Sequence, residues 1–358
     1  MKKTIQTVTI ALFFAFLMAV DTQMLLRLVP EPTLLEKRPL APRPVLVQIS
    51  EVLSDKFTSA FDAYTNDNFG FRKFFIRLNN FLDLKLLKTS TNKRVILGEA
   101  DFLFGLPDWA SYVHAQTKYT DQQVVDAAFK IRALQDRLKS RGIEFLFVMA
   151  PNKGTIYKEY IRQPGYLLYP VSEADRWSRA LTQAGVNQLN MVPDILEAKK
   201  ERLIYYKGDH HWNRYAGLIA TQRISDALAS KFGMSAPAFS ITGIQIDDTE
   251  KTGGGSLDEL LGVKTARLNQ QPSFTVKGKL LPSGVVFGDS FVHWLNLDRA
   301  SEKLHAIADL NAAKKLRIAM ANPDVRFLVV HLSEAHPDEL MSSTLWNVDG
   351  ADVTQAIR

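Results

Sequence analysis

Two short motifs hold the side chains best suited to covalent chemistry. Segment 208–213, Gly-Asp-His-His-Trp-Asn, places the carboxylate of Asp209 two residues before the imidazole of His211. Segment 288–291, Gly-Asp-Ser-Phe, places Ser290 directly after the apolar run 284–287. A serine hydroxyl becomes a good nucleophile when an imidazole takes its proton and a carboxylate orients that imidazole. The two motifs together predict serine-based acyl transfer.

Both motifs also have plainer interpretations. Asp289 and Ser290 are residue types that cap helices. Asp209 with His210 and His211 resembles part of a metal site, but no third well-spaced ligand follows nearby and the chain has no cysteine. We therefore predict neither a metal nor a cofactor. The spacing alone does not decide which of the two histidines is the base.

Strands and helices alternate through the body of the chain, which is the pattern of a parallel sheet covered by helices. A helix begins at the capping box Thr120-x-x-Gln123 and ends before Gly142, and the apolar segment 143–150 follows as a buried strand. Further helices are predicted at 173–184 and 216–232, and further strands at 203–206, 285–287 and 326–332. The sequence therefore predicts an α/β fold with a mostly parallel central sheet flanked by helices.

Four other residues are candidates for substrate or oxyanion contacts. Asn152 and Lys153 follow the strand 143–150 at its carboxyl end, where ligands bind in open α/β sheets. Trp212 belongs to the histidine motif itself. Gly254 lies in the run Gly-Gly-Gly-Ser at 253–256, where glycine permits close approach to a substrate, although a flexible loop is the favoured interpretation. Asn152 fits a turn residue equally well.

The amino terminus has the pattern of an export signal. Lys2 and Lys3 precede an apolar run over 4–20, and the positive end of such a segment stays in the cytoplasm. No Ala-x-Ala cleavage site follows, so an uncleaved anchor is favoured over a cleaved signal peptide. We predict an anchor over 1–27, a proline-rich linker over 28–48, and one domain over 49–358 that begins with a helical extension at 49–92.

Composition excludes several classes of protein. The 358 residues contain no cysteine, so disulfides, thiolate catalysis and a lipoprotein anchor are excluded. The formal net charge of +6 is modest for this length, and no block of Lys and Arg is interleaved with aromatic residues. A nucleic-acid partner is therefore not expected.

The chain resembles the alginate O-acetyltransferase group of SGNH-hydrolase-like proteins, the AlgJ/AlgX type. The matching segments are 36–41, Tyr64 with 67–72, 95–98 with 102–104, 151–153 with 156–157, 205–213 and 288–291. The resemblance implies that Asp209 orients His211, that His211 is the base and that Ser290 is the nucleophile. It leaves His210 at a variable position that is usually Thr. The Asp/His pair precedes the serine, as in the circularly permuted members.

The resemblance also implies an activity and partners. We expect a periplasmic O-acetyltransferase, anchored in the bacterial inner membrane, that moves an acetyl group through an acyl-serine onto an exported polysaccharide of alginate or cellulose type. The implied partners are a membrane-bound O-acyltransferase as acetyl donor and the polysaccharide export complex. Two alternatives stay open: an acetyl esterase with the same triad, and a non-catalytic polysaccharide-binding component that would use Trp109, Trp177 and Trp294.

Overall fold

The computed structural model describes most of the chain. The described residues are 2–32, 34, 38–45, 48–90, 92, 94–105, 119–161, 171–234, 239–247, 255–263, 269–276, 279–334, 336–341 and 346. The chain forms two compact units. We call residues 1–95 with 258–264 the helical unit, and residues 96–257 with 265–358 the sheet unit.

The described helices and strands are numbered in chain order. The helices are α1 (Lys2–Leu26), α2 (Asp55–Asn68), α3 (Arg72–Leu82), α4 (Asp121–Ser140), α5 (Lys153–Ile156), α6 (Glu173–Gln183), α7 (Val192–Lys199), α8 (Arg214–Lys231), α9 (Ser256–Leu261), α10 (Ala313–Met320) and α11 (Pro337–Met341). The strands are β1 (Val95–Leu97), β2 (Leu103–Gly105), β3 (Glu144–Ala150), β4 (Gln188–Asn190), β5 (Phe239–Asp247), β6 (Asn269–Val276), β7 (Gly284–Gly288), β8 (Leu304–Ile307) and β9 (Phe327–Ser333). A π-helical turn, Asp83–Leu87, continues α3, and a 3-10 turn, Ser290–Trp294, follows β7.

A five-stranded parallel sheet lies at the centre of the sheet unit. Its strand order is β4-β3-β9-β7-β8, and every neighbouring pair is parallel. Gly288 at the end of β7 pairs with His331 of β9. The carboxyl ends of β3, β9 and β7 therefore share one edge, where loops can bring polar side chains together.

Both faces of the sheet are covered by apolar side chains. In β3, Leu146 and Val148 belong to one core cluster while Phe145 and Phe147 belong to the other. This alternation follows from the two-residue period of a strand. Helices α7 and α8 contribute to the first cluster, and α4, α6 and α10 to the second. The predicted α/β architecture is confirmed, with helices on both sides of a parallel sheet.

Most predicted helices and strands are present, but the prediction of one strand is wrong. The capping box is formed, because Thr120 Oγ1 accepts from Gln123 N and Gln123 Oε1 accepts from Thr120 N. The predicted strand at 203–206 is absent from the sheet: Tyr205 makes only an isolated antiparallel bridge to Trp212. Its apolar residues instead pack inside a loop. The short edge strands β4 and β8 were not predicted, because three or four residues carry too little periodic signal.

The helical unit contains α1, α2 and α3, together with the short segment 258–264. Gly70, between α2 and α3, lies so close to α1 that a β-carbon would overlap the carbonyl oxygen of Val20. Part of the predicted proline-rich linker is bound to α2, since Asp67 accepts hydrogen bonds from Arg38 at 2.5 and 2.8 Å and from Ala41 N at 2.9 Å. Residues 36 and 37, which begin the matching segment 36–41, lie outside the described residues.

Candidate active site

Ser290 begins the turn that follows β7. The preceding Asp289 holds this turn in place: its Oδ1 accepts from Phe291 N at 3.0 Å, and its Oδ2 accepts from Ser333 N at 2.7 Å. Glycine is required at position 288, because a β-carbon there would overlap the carbonyl oxygen of His331. The turn thus sits tightly over β9 and leaves Ser290 partly exposed.

His211 links Ser290 to Asp209. The distance from Ser290 Oγ to His211 Nε2 is 2.7 Å, and that from His211 Nδ1 to Asp209 Oδ1 is 2.8 Å. When the Nδ1–H donates to the carboxylate, Nε2 is left as an acceptor for the serine proton. The three residues that the sequence analysis selected are therefore brought together in the hydrogen-bonded order that activates a nucleophile.

Asp209 accepts hydrogen bonds on both carboxylate oxygens. Oδ1 accepts from His211 N at 2.9 Å as well as from the ring, and Oδ2 accepts from Ser256 N at 3.0 Å. Burial favours the neutral acid, but the hydrogen bonds from the side chain and backbone of His211 outweigh it and hold the pKa of Asp209 below its ordinary value. Asp209 is therefore a carboxylate at neutral pH.

His210 is directed to a different partner. Its Nδ1 lies 2.6 Å from Ser256 Oγ, which in turn lies 3.2 Å from Asp209 Oδ1. The consistent assignment is that His210 donates to Ser256 and Ser256 donates to the carboxylate. Asp209, His210 and His211 do cluster within 4.8 Å, as a metal site would require. Both ring nitrogens of His211, however, are already in contact with Ser290 and Asp209.

Ser256 is a site residue that the sequence analysis missed. Gly254, which the sequence predicted as a site residue two positions earlier, lies outside the described residues. The sequence feature that could have pointed to Ser256 is the adjacent Gly255. A β-carbon on Gly255 would overlap the carbonyl oxygen of Gly208, so the backbones of the two loops are in contact. Leu257 N also donates to Gly208 O at 3.1 Å. The glycine run thus brings Ser256 against the carboxylate of Asp209.

Lys153 binds the backbone of the loop that carries Asp209. Its side chain is fully buried, and its ammonium donates to the carbonyl oxygens of Tyr206, Lys207 and Asp209 at 3.2, 3.1 and 2.5 Å. Because the ammonium is enclosed, it offers no surface to a substrate. Its contribution is to gather three carbonyl groups and fix the backbone that carries Asp209.

Trp212 and Asn213 fix the other end of the loop. Trp212 is fully buried, with its ring 5.2 Å from Phe291 and 5.5 Å from His331, so it packs beneath the site instead of facing a substrate. Asn213 caps α8, since its Oδ1 accepts from the N–H groups of Tyr215 and Ala216 at 3.1 Å. The segment Asp-His-His-Trp-Asn thus combines chemistry, packing and capping.

Asn152 lies at the carboxyl end of β3, as predicted. It is buried, and its N–H donates to Glu334 Oε1 at 2.6 Å. Glu334 also accepts from Ala174 N at 2.8 Å and from the Thr155 hydroxyl. This buried carboxylate joins the ends of β3 and β9 to α6. The Asn152 side chain does not line the groove that contains Ser290.

The triad opens into a groove of about 760 Å³. The groove is lined by Asp209, His211, Arg214, Leu218, Pro272, Phe274, Ser290, His293, Trp294 and Asn296. Trp294 is held in place by α8, where a β-carbon on Gly217 would overlap its carbonyl oxygen. Of the other tryptophans considered for binding, Trp177 is fully buried in the core and Trp109 lies outside the described residues.

Two curated relatives match about half of the chain. The chain is 21% identical over 180 residues to the probable alginate O-acetylase AlgJ of Pseudomonas syringae pv. tomato, covering 50% of this chain and 44% of that protein. It is 24% identical over 188 residues to the corresponding protein of Pseudomonas aeruginosa, covering 52% and 46%. The chain thus spans less than half the length of these two relatives.

A solved structure has a similar fold. The O-acetyltransferase domain of Pseudomonas putida AlgJ superposes with a TM-score of 0.54 and 19% identity, over 73% of this chain and 97% of that one. At this identity the likeness concerns the fold alone.

A family model covers just over half of the chain. The family described as an SGNH hydrolase-like domain, acetyltransferase AlgX, matches residues 95–279, which include Asp209 and His211. Ser290 lies beyond the matched segment, so its assignment depends on the geometry above. The chain therefore belongs to the AlgX family of SGNH hydrolase-like domains.

Proposed function

We propose that the protein is an O-acetyltransferase that carries acetyl groups on Ser290 and delivers them to hydroxyl groups of an exported polysaccharide. The observation that carries this proposal is the hydrogen-bonded order Ser290, His211, Asp209, with contacts of 2.7 and 2.8 Å, at the wall of an open groove. Membership in an acetyltransferase family supports the choice of acyl group.

In the first half-reaction, Ser290 Oγ attacks the acetyl carbonyl carbon of the donor. The serine proton moves to His211 Nε2, and Asp209 stabilises the imidazolium that forms. When the tetrahedral intermediate collapses, the donor oxygen leaves with that proton. The products are the acyl-serine and the deacetylated donor, and His211 is neutral again.

In the second half-reaction a sugar hydroxyl replaces the donor. His211 Nε2 removes its proton, the sugar oxygen attacks the acyl carbon, and Ser290 Oγ departs with the proton held by His211. The same steps with water would be hydrolysis, so the outcome depends on whether the acceptor fills the groove and excludes water. The enzyme emerges unchanged in either case.

The backbone N–H of Ser290 is the amide we assign to the developing oxyanion. It is the first amide of the 3-10 turn, and no hydrogen bond from it is present among the described residues. The amide of Phe291 is already donated to Asp289. An amide fixed in a turn stabilises a tetrahedral intermediate without reorganising.

The groove suits a polysaccharide of alginate or cellulose type. A volume of about 760 Å³ lies in the range of ligand pockets. Trp294 offers an aromatic surface next to the triad, with its ring 6.1 Å from that of His211. The exposed Arg214, a further groove residue, would favour a polymer that carries carboxylates. Two relatives whose names mention alginate support a polysaccharide of this type.

We further propose that α1 anchors the protein in the inner membrane with the sheet unit in the periplasm. Among the described residues, α1 is the one helix long and apolar enough to cross a membrane. Lys2 and Lys3 at its start favour the cytoplasmic side. In this arrangement a membrane-bound O-acyltransferase would supply acetyl groups, and an export complex would supply the polysaccharide.

Acetyl transfer is tested with the full chain in nanodiscs, an activated acetyl ester as donor, and uronate or glucan oligosaccharides as acceptors. Mass spectrometry of the oligosaccharides and an assay for free acetate give the ratio of transfer to hydrolysis. We expect transfer to exceed hydrolysis with the cognate acceptor, and Arg214→Gln to reduce transfer to uronates more than to glucans.

Two results would contradict this function. If hydrolysis dominates with every acceptor, the protein is an acetyl esterase. If Ser290→Ala binds oligosaccharide as well as the natural chain does and the natural chain turns over no ester, the protein is a binding component of the export complex.

A further inference from the structure

Helix α3 of the helical unit exposes several large apolar side chains and buries a polar one. The polar side chain of Asn80 is buried and donates to Leu261 O at 2.8 Å, and Asp83 in the π-helical turn is buried as well. Phe75 and Ile76 are half-buried, but the other four large apolar side chains of α3 are exposed. They are Phe74, Leu78, Phe81 and Leu82, with exposed fractions of 51%, 41%, 50% and 39%.

The exposed apolar residues form one continuous stripe. Positions 74, 78, 81 and 82 follow the i, i+4, i+7, i+8 spacing of a single helix face. Leu86 and Leu87, exposed by 71% and 68%, continue it through the π-helical turn. A patch of six large apolar side chains is unusual on a surface that faces water, and it marks a contact with protein or lipid.

The position of α3 along α1 favours lipid. Phe75 of α3 has its ring 5.9 Å from that of Phe16 in α1. At 1.5 Å per residue, the stretch from Lys3 to Asp21 is about 27 Å long, close to the hydrocarbon thickness of a bilayer. Phe16 lies about 8 Å before Asp21 on the same scale. If α1 spans the membrane, Phe75 is at the depth of the outer leaflet.

Charged side chains near the end of α1 fit the phospholipid headgroups. A cavity of about 330 Å³ in the helical unit is lined by Arg27, Arg72 and Lys73, with Glu31 and Asp67 as its acidic residues. The cations outnumber the acids, as expected at the level of lipid phosphates. Beyond α3, Lys85 and Lys88 are exposed beside the apolar stripe.

We propose that the stripe Phe74, Leu78, Phe81, Leu82, Leu86 and Leu87 lies in the outer leaflet of the membrane as a second contact beside α1. This inference rests on the proposed anchoring by α1 but not on the acyl chemistry. The structure thus assigns to this region the form of an amphipathic helix lying in the membrane interface. Two separate contacts with one bilayer would restrict the tilt of the helical unit.

The test exploits the absence of native cysteine. Single cysteines replace Leu78 or Phe81 in the full chain, a nitroxide is attached, and the protein is placed in vesicles that contain anionic phospholipid. Phe129 in α4 of the sheet unit, 51% exposed, gives a matched control site. Collisions with oxygen, which enters lipid, are compared with collisions with a water-soluble nickel complex. Each labelled chain must still hydrolyse an activated acetyl ester.

We expect oxygen to be favoured severalfold over nickel at positions 78 and 81, and nickel to be favoured at 129. Nickel access at 78 and 81 in chains that float with vesicles would overturn the inference and leave the anchor intact. Shielding from both reagents would also overturn it, because protein would then cover the stripe. Failure to float would remove the anchor and this inference together, whereas retained ester turnover would leave the chemistry of Ser290 standing.

Discussion

The sheet unit and the helical unit differ in how they arrange polar and apolar side chains. In the sheet unit, the buried carboxylates of Asp209, Asp289 and Glu334 each accept several hydrogen bonds, and apolar residues fill both faces of the sheet. In α3, buried Asn80 faces inward while Phe74 and Phe81 face outward. This difference is the basis for the proposal that lipid covers the exposed face of α3.

The largest effect should come from the triad. Ser290→Ala removes the attacking oxygen, so turnover of an activated acetyl ester should fall by roughly 10³-fold or more. Combining it with His211→Ala should add little, because the residues act as one unit. Steady-state kinetics of the single and double variants test this. Full activity in Ser290→Ala would contradict the assignment.

Gly288→Ala should damage both stability and turnover. Its β-carbon would overlap the carbonyl oxygen of His331, so the turn must shift, at a cost of about 1–3 kcal/mol. Gly243→Ala is the matched control, since no atom lies within 4 Å of its β-carbon. Thermal unfolding and ester turnover are measured for both variants. Equal effects at the two glycines would show that the turn is not tightly packed.

Ser256→Ala should reduce turnover by about tenfold. It removes a hydroxyl that lies 3.2 Å from the Asp209 carboxylate, and a hydrogen bond to a charged group contributes about 1.5 kcal/mol or more. His210→Ala should cost less, because the Nδ1 of His210 is hydrogen-bonded to Ser256 at 2.6 Å and lies 3.7 Å from Asp209, whereas His211 bonds both Asp209 and Ser290. Steady-state ester kinetics of the two variants show which loss of turnover is larger. A larger loss in His210→Ala than in His211→Ala would reverse the choice of base.

His331 should make the sheet unit sensitive to mild acid. Burial lowers the pKa of His331 from 6.5, so the unfolded chain binds the proton more readily than the folded chain. Stability is then lost as the pH falls below about 6.5, by at most about 1.4 kcal/mol per pH unit. His331→Phe should flatten urea-unfolding stability between about pH 7 and pH 5. An unchanged slope would mean that another group carries the sensitivity.

The smallest effect on catalysis is expected at α3. Phe81→Ser should leave the turnover of a soluble acetyl ester unchanged, because Phe81 lies in the helical unit and the triad lies in the sheet unit. Turnover of the ester by Phe81→Ser and by the natural chain is compared in detergent. A tenfold loss would show that the two regions are coupled.

The sequence predicted those parts of the molecule that depend on local pattern. The buried strand β3, the capping box at Thr120 and the serine turn after β7 each follow from residue types a few positions apart. The pairing of Asp209 with His211 was equally local, and the resemblance supplied the choice of base. Apart from the contact between Ser290 and His211, contacts between distant segments were not predicted. Lysine at the end of a strand is a residue type that often binds ligands. Only the fold shows that the ammonium of Lys153 is surrounded by three carbonyl groups.

Ser256 and α3 show the same limit in two ways. Ser256 reaches Asp209 because Gly255 permits two loops to touch, and the sequence of one loop does not specify the other. The helical extension at 49–92 was predicted, but which face of α3 packs against α1 depends on tertiary contacts. A hydrophobic stripe predicts a covered face, and only the structure shows that this one is open.

We expect Ser290 to carry the acyl group, and trapping the acyl-serine is the sharpest test of this assignment. The full chain is mixed with an activated acetyl ester, quenched in acid during the first turnovers, digested and analysed by mass spectrometry. We expect one acetyl group on the peptide that contains Ser290, absent from Ser290→Ala and depleted when an oligosaccharide acceptor is added. Acetylation of another residue with full turnover, or none on Ser290 while ester is consumed, would contradict it.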